Sequence, residues 1–452
     1  VQITDLLTKL GYKTVDDGFY NLVDVWKSWY KGKVADFHNY KVYNGEEYVK
    51  MEKYTMGMAK TVSEDWANYI FNNDTVIRVE DNNINDILHQ YMKKINFQTN
   101  MSQLVEAGFA NGTVAVTIVD DNNGIPDLDF IREARMIFPL TWDNGEIIDC
   151  CFGSYKFFNG KKYLYLNIHN FINNMWTIKN RFFEIDNDNV GAEVYFDGVA
   201  TEYTSDIKRY FIFKPAVINN YSYDNPMGVS IFGNAIDNLK GIDTVYDSYI
   251  NEFVLGRKRI IASADVVKTS MKDGSMKPTF DPSDVTFYAM PANLAGDNLI
   301  KEIDMNLRVE QHKQAMQDML NMLSVKIGMG TKHYSFTSGA VTATEIKSTT
   351  DTLYNSMVKH EMLLGDMLSG LLKSVLSIMG YSDQDVTVEF SDAVIHDRNA
   401  ELLENIQLLQ NGIIDKAEVR SWWTGADLET SRQQIKEIEA NQTQSDLFGA
   451  TM

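Results

Sequence analysis

Cysteine is almost missing from this 452-residue chain: the two present, Cys150 and Cys151, are neighbours inside an apolar segment. Two small adjacent thiols suit a reducing compartment and exclude a disulfide framework, and neither is placed as a metal ligand or nucleophile. Long apolar runs are missing too. Those present, such as residues 136–140, fall far short of the roughly 20 residues a membrane span needs. The opening residues mix acids into their apolar pattern, which a signal peptide would not, so a soluble, intracellular protein is expected. A basic excess is also lacking: 42 Lys and Arg face 62 Asp and Glu, a net charge of -20. That balance argues against a protein that grips nucleic acid by neutralising phosphates. It fits an ordinary acidic soluble protein, and equally a closed ring whose acidic lumen would let a duplex slide; net charge alone does not choose.

Catalytic and metal motifs are absent as well. Seven histidines, at His38, His89, His169, His312, His333, His360 and His396, show no i, i+4 pair and no cysteine or aspartate at ligand spacing, so neither metal nor other cofactor is expected. Gly328-Met329-Gly330-Thr331-Lys332 lacks the GxxxxGK[ST] spacing of a phosphate loop and follows a helix where such a loop follows a strand. There is no GxSxG elbow, and the acids at 120–121 and 186–188 fall in turns. Nothing argues for an enzyme.

What is present is length enough for two or three domains, each with its own core. The first ~110 residues read as mainly helical, opening with Phe19, Trp26, Trp29, Tyr30, Phe37, Tyr40 and Tyr43, which are expected in the core. Met58, Ala59, Val62, Trp66, Ala67 and Ile70 recur at helical spacing. From about residue 112 to 213 short β-rich runs take over, broken by Asn159-Gly160 and Asp197-Gly198, dipeptides that tolerate the positive φ of tight hairpins. An antiparallel sheet is expected, and the lack of intervening helices excludes a βαβ nucleotide-binding fold.

After Pro226 and Gly228, Ser230 is placed to cap a helix of about 40 Å whose stripe is Phe232, Ile236, Leu239, Ile242, Tyr246, Tyr249 and Phe253. Asp237, Asp243 and Asp247 early and Arg257, Lys258 and Arg259 late complement its dipole, which accounts for the basic cluster without a phosphate partner. Residues 260–303 form a compact strand-and-turn insert. A second long helix begins at Asn306 with Val309, Met316, Met319, Leu320, Leu323 and Ile327 on one stripe; its methionines are core fillers or an adaptable subunit contact. Gly328-Met329-Gly330 ends it, and a polar loop follows over 331–341. Thr342-Ala343-Thr344-Glu345 is a capping box that opens a third long helix, with Leu353, Met357, Leu364, Leu368, Leu371, Val375 and Ile378 on its stripe and Gly380 at C′. A strand over 386–390, a short helical pair over 399–410 and 415–423, a polar helix over 428–441 and a frayed tail complete the reading.

This order resembles the portal proteins of tailed bacteriophages, especially the branch in long-tailed phages of Gram-positive bacteria. The resemblance rests on Tyr30-Lys31-Gly32-Lys33, Phe37-His38, Tyr43-Asn44-Gly45, Met58-Ala59-Lys60, Glu64-Asp65-Trp66-Ala67, Pro226-Met227-Gly228, residues 237–243, Tyr246-Asp247-Ser248, Glu252-Phe253, Gly256-Arg257-Lys258-Arg259-Ile260 and the box at 342–345. It spans most of the chain, and it is the order and spacing of these short motifs that are specific. It implies an α+β portal fold: a mixed α/β wing over 1–229, stem helices at 230–259 and 304–330, a small clip over 260–303, a tunnel loop at 331–341, a long wing helix with return strand over 342–395, and a short helical crown over 396–452.

The resemblance further implies a ring, twelve copies being expected, at one capsid vertex of the virion, assembled in the host bacterial cytoplasm. Its channel would pass double-stranded DNA without sequence specificity during packaging and ejection. Its implied partners are the terminase large subunit, a head-completion or adaptor protein, and the major capsid and scaffolding proteins, with no membrane. Lys332, His333, Tyr334, Ser335, Thr337 and Ser338 of the loop, with Lys326 of the stem, are the residues that would meet DNA. Lys268, Lys272, Asp273 and Asp281 would lie on the clip docking surface. A terminase-like enzyme, which needs a phosphate loop, and a monomeric β-rich binding module, which leaves three long helices unexplained, are the rival readings.

Overall fold

The computed structural model describes residues 3–43, 47–120, 124–186, 189–255, 259–263, 269–272, 275–278, 287–290, 300–303, 306–335, 343–382, 384–390, 398–424 and 427–449. They fall into two compact units, Val1–Glu389 and Phe390–Met452.

The first unit opens with helices α1 (Ile3–Lys9), α2 (Asp17–Tyr30) and α3 (Ala35–His38). Asp16 caps α2 by accepting from the Gly18 amide at 3.0 Å, and the helix then buries Phe19, Tyr20, Val23, Trp26 and Trp29 at three- and four-residue spacing. Strands β1 (Asn39–Tyr43) and β2 (Tyr48–Glu52) form an antiparallel ribbon, followed by α4 (Met58–Ile70), β3 (Val76–Val79), α5 (Asn82–Lys94) and α6 (Phe97–Asn111). The six apolar positions expected on α4 are all buried. The opening aromatics divide: Trp26 and Trp29 are core, whereas Tyr43 is 57% exposed because it stands near the tip of the β1–β2 ribbon.

The β-rich middle holds β4 (Val114–Asp120), β5 (Pro126–Ile131), β6 (Ile137–Asp143), β7 (Glu146–Phe158), β8 (Lys161–Ile172), β9 (Met175–Asp186), β10 (Asn189–Val194), β11 (Glu202–Ser205) and β12 (Tyr210–Phe213). They form two antiparallel sheets, β12-β4-β5 and β10-β9-β8-β7-β6, with β11 also on β9. Asn159 (φ 48°) and Gly160 (φ 77°) make the expected tight turn. The turns before and after it use the same device, with Asn144 and Gly145 and with Asn173 and Asn174 at positive φ. Asp197-Gly198 closes no hairpin between paired strands. It lets the chain leave the edge of β9 at Val194, opposite Phe182, and rejoin that edge at Glu202, opposite Lys179.

Gly112 ends α6 at φ 83° and turns the chain directly into β4; a Cβ there would sit 2.5 Å from the Gly228 carbonyl oxygen, and one on Gly228 would sit 2.1 Å from that of Gly112. The two glycines let the strand entry and the approach to the first long helix pass backbone against backbone.

That helix, α7 (Ile236–Leu255), is 20 residues, about 30 Å, shorter than the sequence suggests. A 3₁₀ turn, Gly233–Ala235, precedes it. Ser230 does not cap it: this buried hydroxyl donates to the Phe109 carbonyl at 3.2 Å, tying the approach to α6. Arg259 also departs from the expected helix end, opening β13 (Arg259–Ser263); residues 256–258 lie outside the described set. β13 pairs parallel with β16 (Phe287–Met290) and antiparallel with β17 (Ile300–Ile303), while β14 (Thr269–Lys272) and β15 (Ser275–Pro278) form a hairpin.

Helix α8 (Val309–Lys326) returns against α7, and α9 (Ala343–Ile378) follows, 36 residues or about 54 Å long. Gly380 sits at C′ with φ 92°, and the Tyr381 amide closes the Schellman bond to Leu376. Residue 342 and the side chains of the expected capping box lie outside the described set. β18 (Val386–Glu389) pairs with β3, returning the chain to the N-terminal helices. The second unit is α10 (Arg398–Gln410), α11 (Lys416–Thr424) and α12 (Leu428–Gly449). The last helix continues to Gly449, through residues the sequence reading left frayed.

Candidate functional site

The turn after α8 carries the loop residues singled out from sequence. Its first step is a Schellman close: the Met329 amide donates to Ser324 O at 2.9 Å with Gly328 at φ 80°. A Cβ at Gly328 would press on Ser356 of α9 at 3.0 Å. Gly330 (φ 76°) and then Lys332 (φ 62°) reverse the chain twice more, and Met329 between the glycines is fully buried. Lys332 therefore occupies a conformation that a side chain normally resists, and it stands exposed.

The next two residues turn inward onto α4. Tyr334 donates its hydroxyl to Asp65 at 2.8 Å, its carbonyl accepts from Gln317 of α8 at 3.2 Å, and burial followed by the Asp65 charge pushes the phenol far up. His333 lies edge-on to Tyr69 and Tyr334, and burial lowers its pKa although Asp65 opposes the shift. These two side chains anchor the loop's base. Lys326, Lys332 and Ser335 are the exposed residues of the set, while Thr337 and Ser338 lie outside the described residues. Met322, Val325, Lys326, Thr331 and Lys332 share a shallow groove of about 510 Å³ with Asn238 and Asn321.

The α7–α8 pair is fastened at both ends. Asp243 of α7 is 3% exposed, and its carboxylate accepts from the Met56 amide at 2.8 Å, Thr55 Oγ1 at 3.0 Å and His38 Nε2 at 3.0 Å. His38 Nδ1 accepts from the Val34 amide at 2.9 Å, which puts the ring proton on Nε2, aimed at Asp243. One helical turn on, Asp247 accepts from the Tyr54 amide at 3.0 Å. At the far end Arg308 grips Glu252 through Nε, Nη2 and its own amide, which holds the Glu252 carboxyl down to about 2. His312 joins the helices by meeting Ser248 Oγ at 3.1 Å.

Sequence reasoning assigned Asp243 and Asp247 to the helix dipole; their geometry instead makes them acceptors for the chain at 54–56. Asp65 and Tyr69 were also missed as loop partners, although Asp65 stands in a motif that carries the family resemblance. Of the insert residues, Lys272 ends β14, and Lys268, Asp273 and Asp281 lie outside the described set.

Among the described residues no group of three or more His, Cys, Asp or Glu is arranged to hold a metal, and no helix is long and apolar enough to cross a membrane. Burial pushes both cysteine thiols up.

The family model described as phage portal protein, SPP1 Gp6-like, matches residues 12–446. No curated protein matches the sequence significantly. Among solved structures, the neck of a native GTA particle computed with C12 symmetry is 12% identical, over 81% of this chain and 89% of that one, at a TM-score of 0.42. The neck of an empty GTA particle computed with C6 symmetry is 11% identical, over 82% and 90%, at 0.43. The virion of a native gene transfer agent particle gives 11%, 80%, 87% and 0.37.

Proposed function

Because the chain belongs to the phage portal proteins of the SPP1 Gp6-like family, we propose that its copies close into a ring, twelve being the number expected for the family, around a channel for double-stranded DNA. It is a structural portal protein with an α+β portal fold. In this reading α7 and α8 are the stem, 260–303 the clip, 331–341 the tunnel loop, α9 the long wing helix and the second unit the crown. The ring sits at one capsid vertex of the virion. Its clip receives the terminase large subunit and later a head-completion protein, with capsid and scaffolding proteins around it.

One observation carries the ring: the α7–α8 arm leaves its own apolar residues uncovered. Phe253 and Val254 on α7, Leu307 before α8, and Met322 and Val325 on it are all exposed. Among the described residues a single subunit has no further element to cover them, and exposed apolar side chains at both ends of the helix pair offer surface to a neighbouring copy. At the loop, Lys332 and Lys326 are the exposed cations offered to phosphate, with Tyr334 and His333 holding the loop base. Loose, sequence-independent contact needs few such charges.

Mass photometry and negative-stain imaging of the purified protein should show rings, and compact monomers alone at micromolar concentration would refute the proposal. Lys332→Glu should leave those rings intact and lower DNA packaging or retention; unaltered packaging would remove the loop from the DNA path. The clean protein should show no ATP turnover.

A further inference from the structure

Among the described residues of the first unit the β1–β2 ribbon stands out as exposed. Only Tyr40 among its strand residues is even half-buried. Tyr48 is 70% exposed, and Val42, Tyr43, Val49 and Met51 are all exposed beside it. A lone two-stranded ribbon is marginal in water, and this one sets Lys41 directly opposite Lys50, a like-charge pair that weakens it further. Its base is held where the Lys53 amide donates to His38 O, Lys53 Nζ lies 3.9 Å from the centre of the Phe37 ring, and Tyr54 and Met56 reach Asp247 and Asp243. Such an element is built to be completed by something else.

We infer that the ribbon of one copy lies on the exposed face of α8 of the next copy in the ring. On one face of the ribbon, from base to tip, stand the Lys41/Lys50 pair and then the Tyr43/Tyr48 pair, rings 5.3 Å apart. Along α8 the exposed face reads Asp318, then Met322 and Val325, then Lys326. The cations and the aromatic pair meet the anion and the apolar pair. The spans agree: Lys50 to Tyr48 is two strand residues, about 7 Å, and Asp318 to Met322 is four helical residues, about 6 Å. The groove containing Met322 and Val325 supplies the space for the two tyrosine rings.

The placement of the two surfaces suits a ring. Asp243 and Asp247 fix the ribbon base to one side of α7, whereas Asn238 lines the groove, about 140° and 180° around the helix from those two residues. Complementary patches on opposite flanks make a heterologous contact, which closes into a ring when the rotation permits. This inference rests on the portal reading.

The experiment is disulfide trapping in the full-length protein carrying Tyr48→Cys with Met322→Cys, since the native cysteines are fully buried. Oxidation should give a ladder of covalent oligomers on a non-reducing gel, and neither single variant should. If that pair prevents assembly, charge exchange decides. Asp318→Lys should raise the concentration at which rings dissociate by about tenfold, and adding Lys41→Asp and Lys50→Asp should largely restore it. Wild-type rings whose cysteine variants assemble without a ladder, or charge changes whose effects simply add, overturn the contact while the portal reading stands. Wild-type protein that never assembles overturns both.

Discussion

Asp243→Ala puts the attachment of α7 at risk. In the native structure its two oxygens accept three hydrogen bonds: the Met56 amide on Oδ1, and Thr55 Oγ1 and His38 Nε2 on Oδ2. Alanine removes both acceptor oxygens, and with them all three bonds, at once. The Thr55 hydroxyl can rotate to another partner, but the Met56 amide is fixed by the chain, and the His38 ring proton is fixed on Nε2 because Nδ1 already accepts from Val34. Two stranded donors at about 1–3 kcal/mol each give an expected loss of about 2–6 kcal/mol, a large fraction of a domain's stability. Asp243→Asn is the informative control. In either orientation its NH₂ faces a fixed donor, Met56 or His38, so it should cost about 1–3 kcal/mol despite its matched shape. Guanidinium denaturation should be read at one fixed subunit concentration, because assembly raises apparent stability. The expected order is wild type, Asn, Ala. An alanine variant within about 0.5 kcal/mol of wild type would refute the reasoning, since that is the range of an ordinary surface change.

Two other outcomes follow from buried groups. Burial lowers both His169 and His360 to about 3, and His360 Nδ1 accepts from the Ala216 amide, a bond that a proton on Nδ1 would abolish. A folded-state pKa below the unfolded value near 6.5 gives stability that is complete above pH 6.5 and lost as pH falls toward 3. Each histidine should therefore cost about 2 kcal/mol at pH 5, and His360→Gln should flatten the dependence in denaturation midpoints taken from pH 7 to 5. For the glycines, Gly228→Ala drives a Cβ into the Gly112 carbonyl and should cost more than about 4 kcal/mol or prevent folding. Gly57→Ala, at φ 70° with nothing within 4 Å, should cost only about 1–2 kcal/mol; equal melting temperatures for the two would contradict the close approach.

The elements themselves were largely legible in the sequence. The α4 stripe, the Asn159-Gly160 turn, the Met316, Leu320 and Leu323 face of α8, the long α9 and its Gly380 stop all come from signals within one helical turn or one hairpin. Departures fall where a distant partner intervenes. Ser230 has the chemistry of a cap, yet the Phe109 carbonyl, 121 residues away, takes its hydroxyl. Tyr43 has the composition of a core residue, yet it stands 57% exposed near the tip of the ribbon that holds it.

The sequence by itself determined which segments become helices, strands and turns, and through the order of its short motifs the portal family, because periodicity, capping and positive-φ residues act locally. Tertiary structure alone decided that Tyr334 and His333 fold back onto Asp65 and Tyr69, that Asp243 and Asp247 clasp residues 54–56, and that the β1–β2 ribbon and the α8 face stand uncovered on opposite flanks. The physical reason is range. A hydrogen bond between residues 187 apart in sequence, such as Met56 to Asp243, leaves no periodic trace in the chain. It exists only once the intervening domain has folded and carried donor and acceptor to the same place.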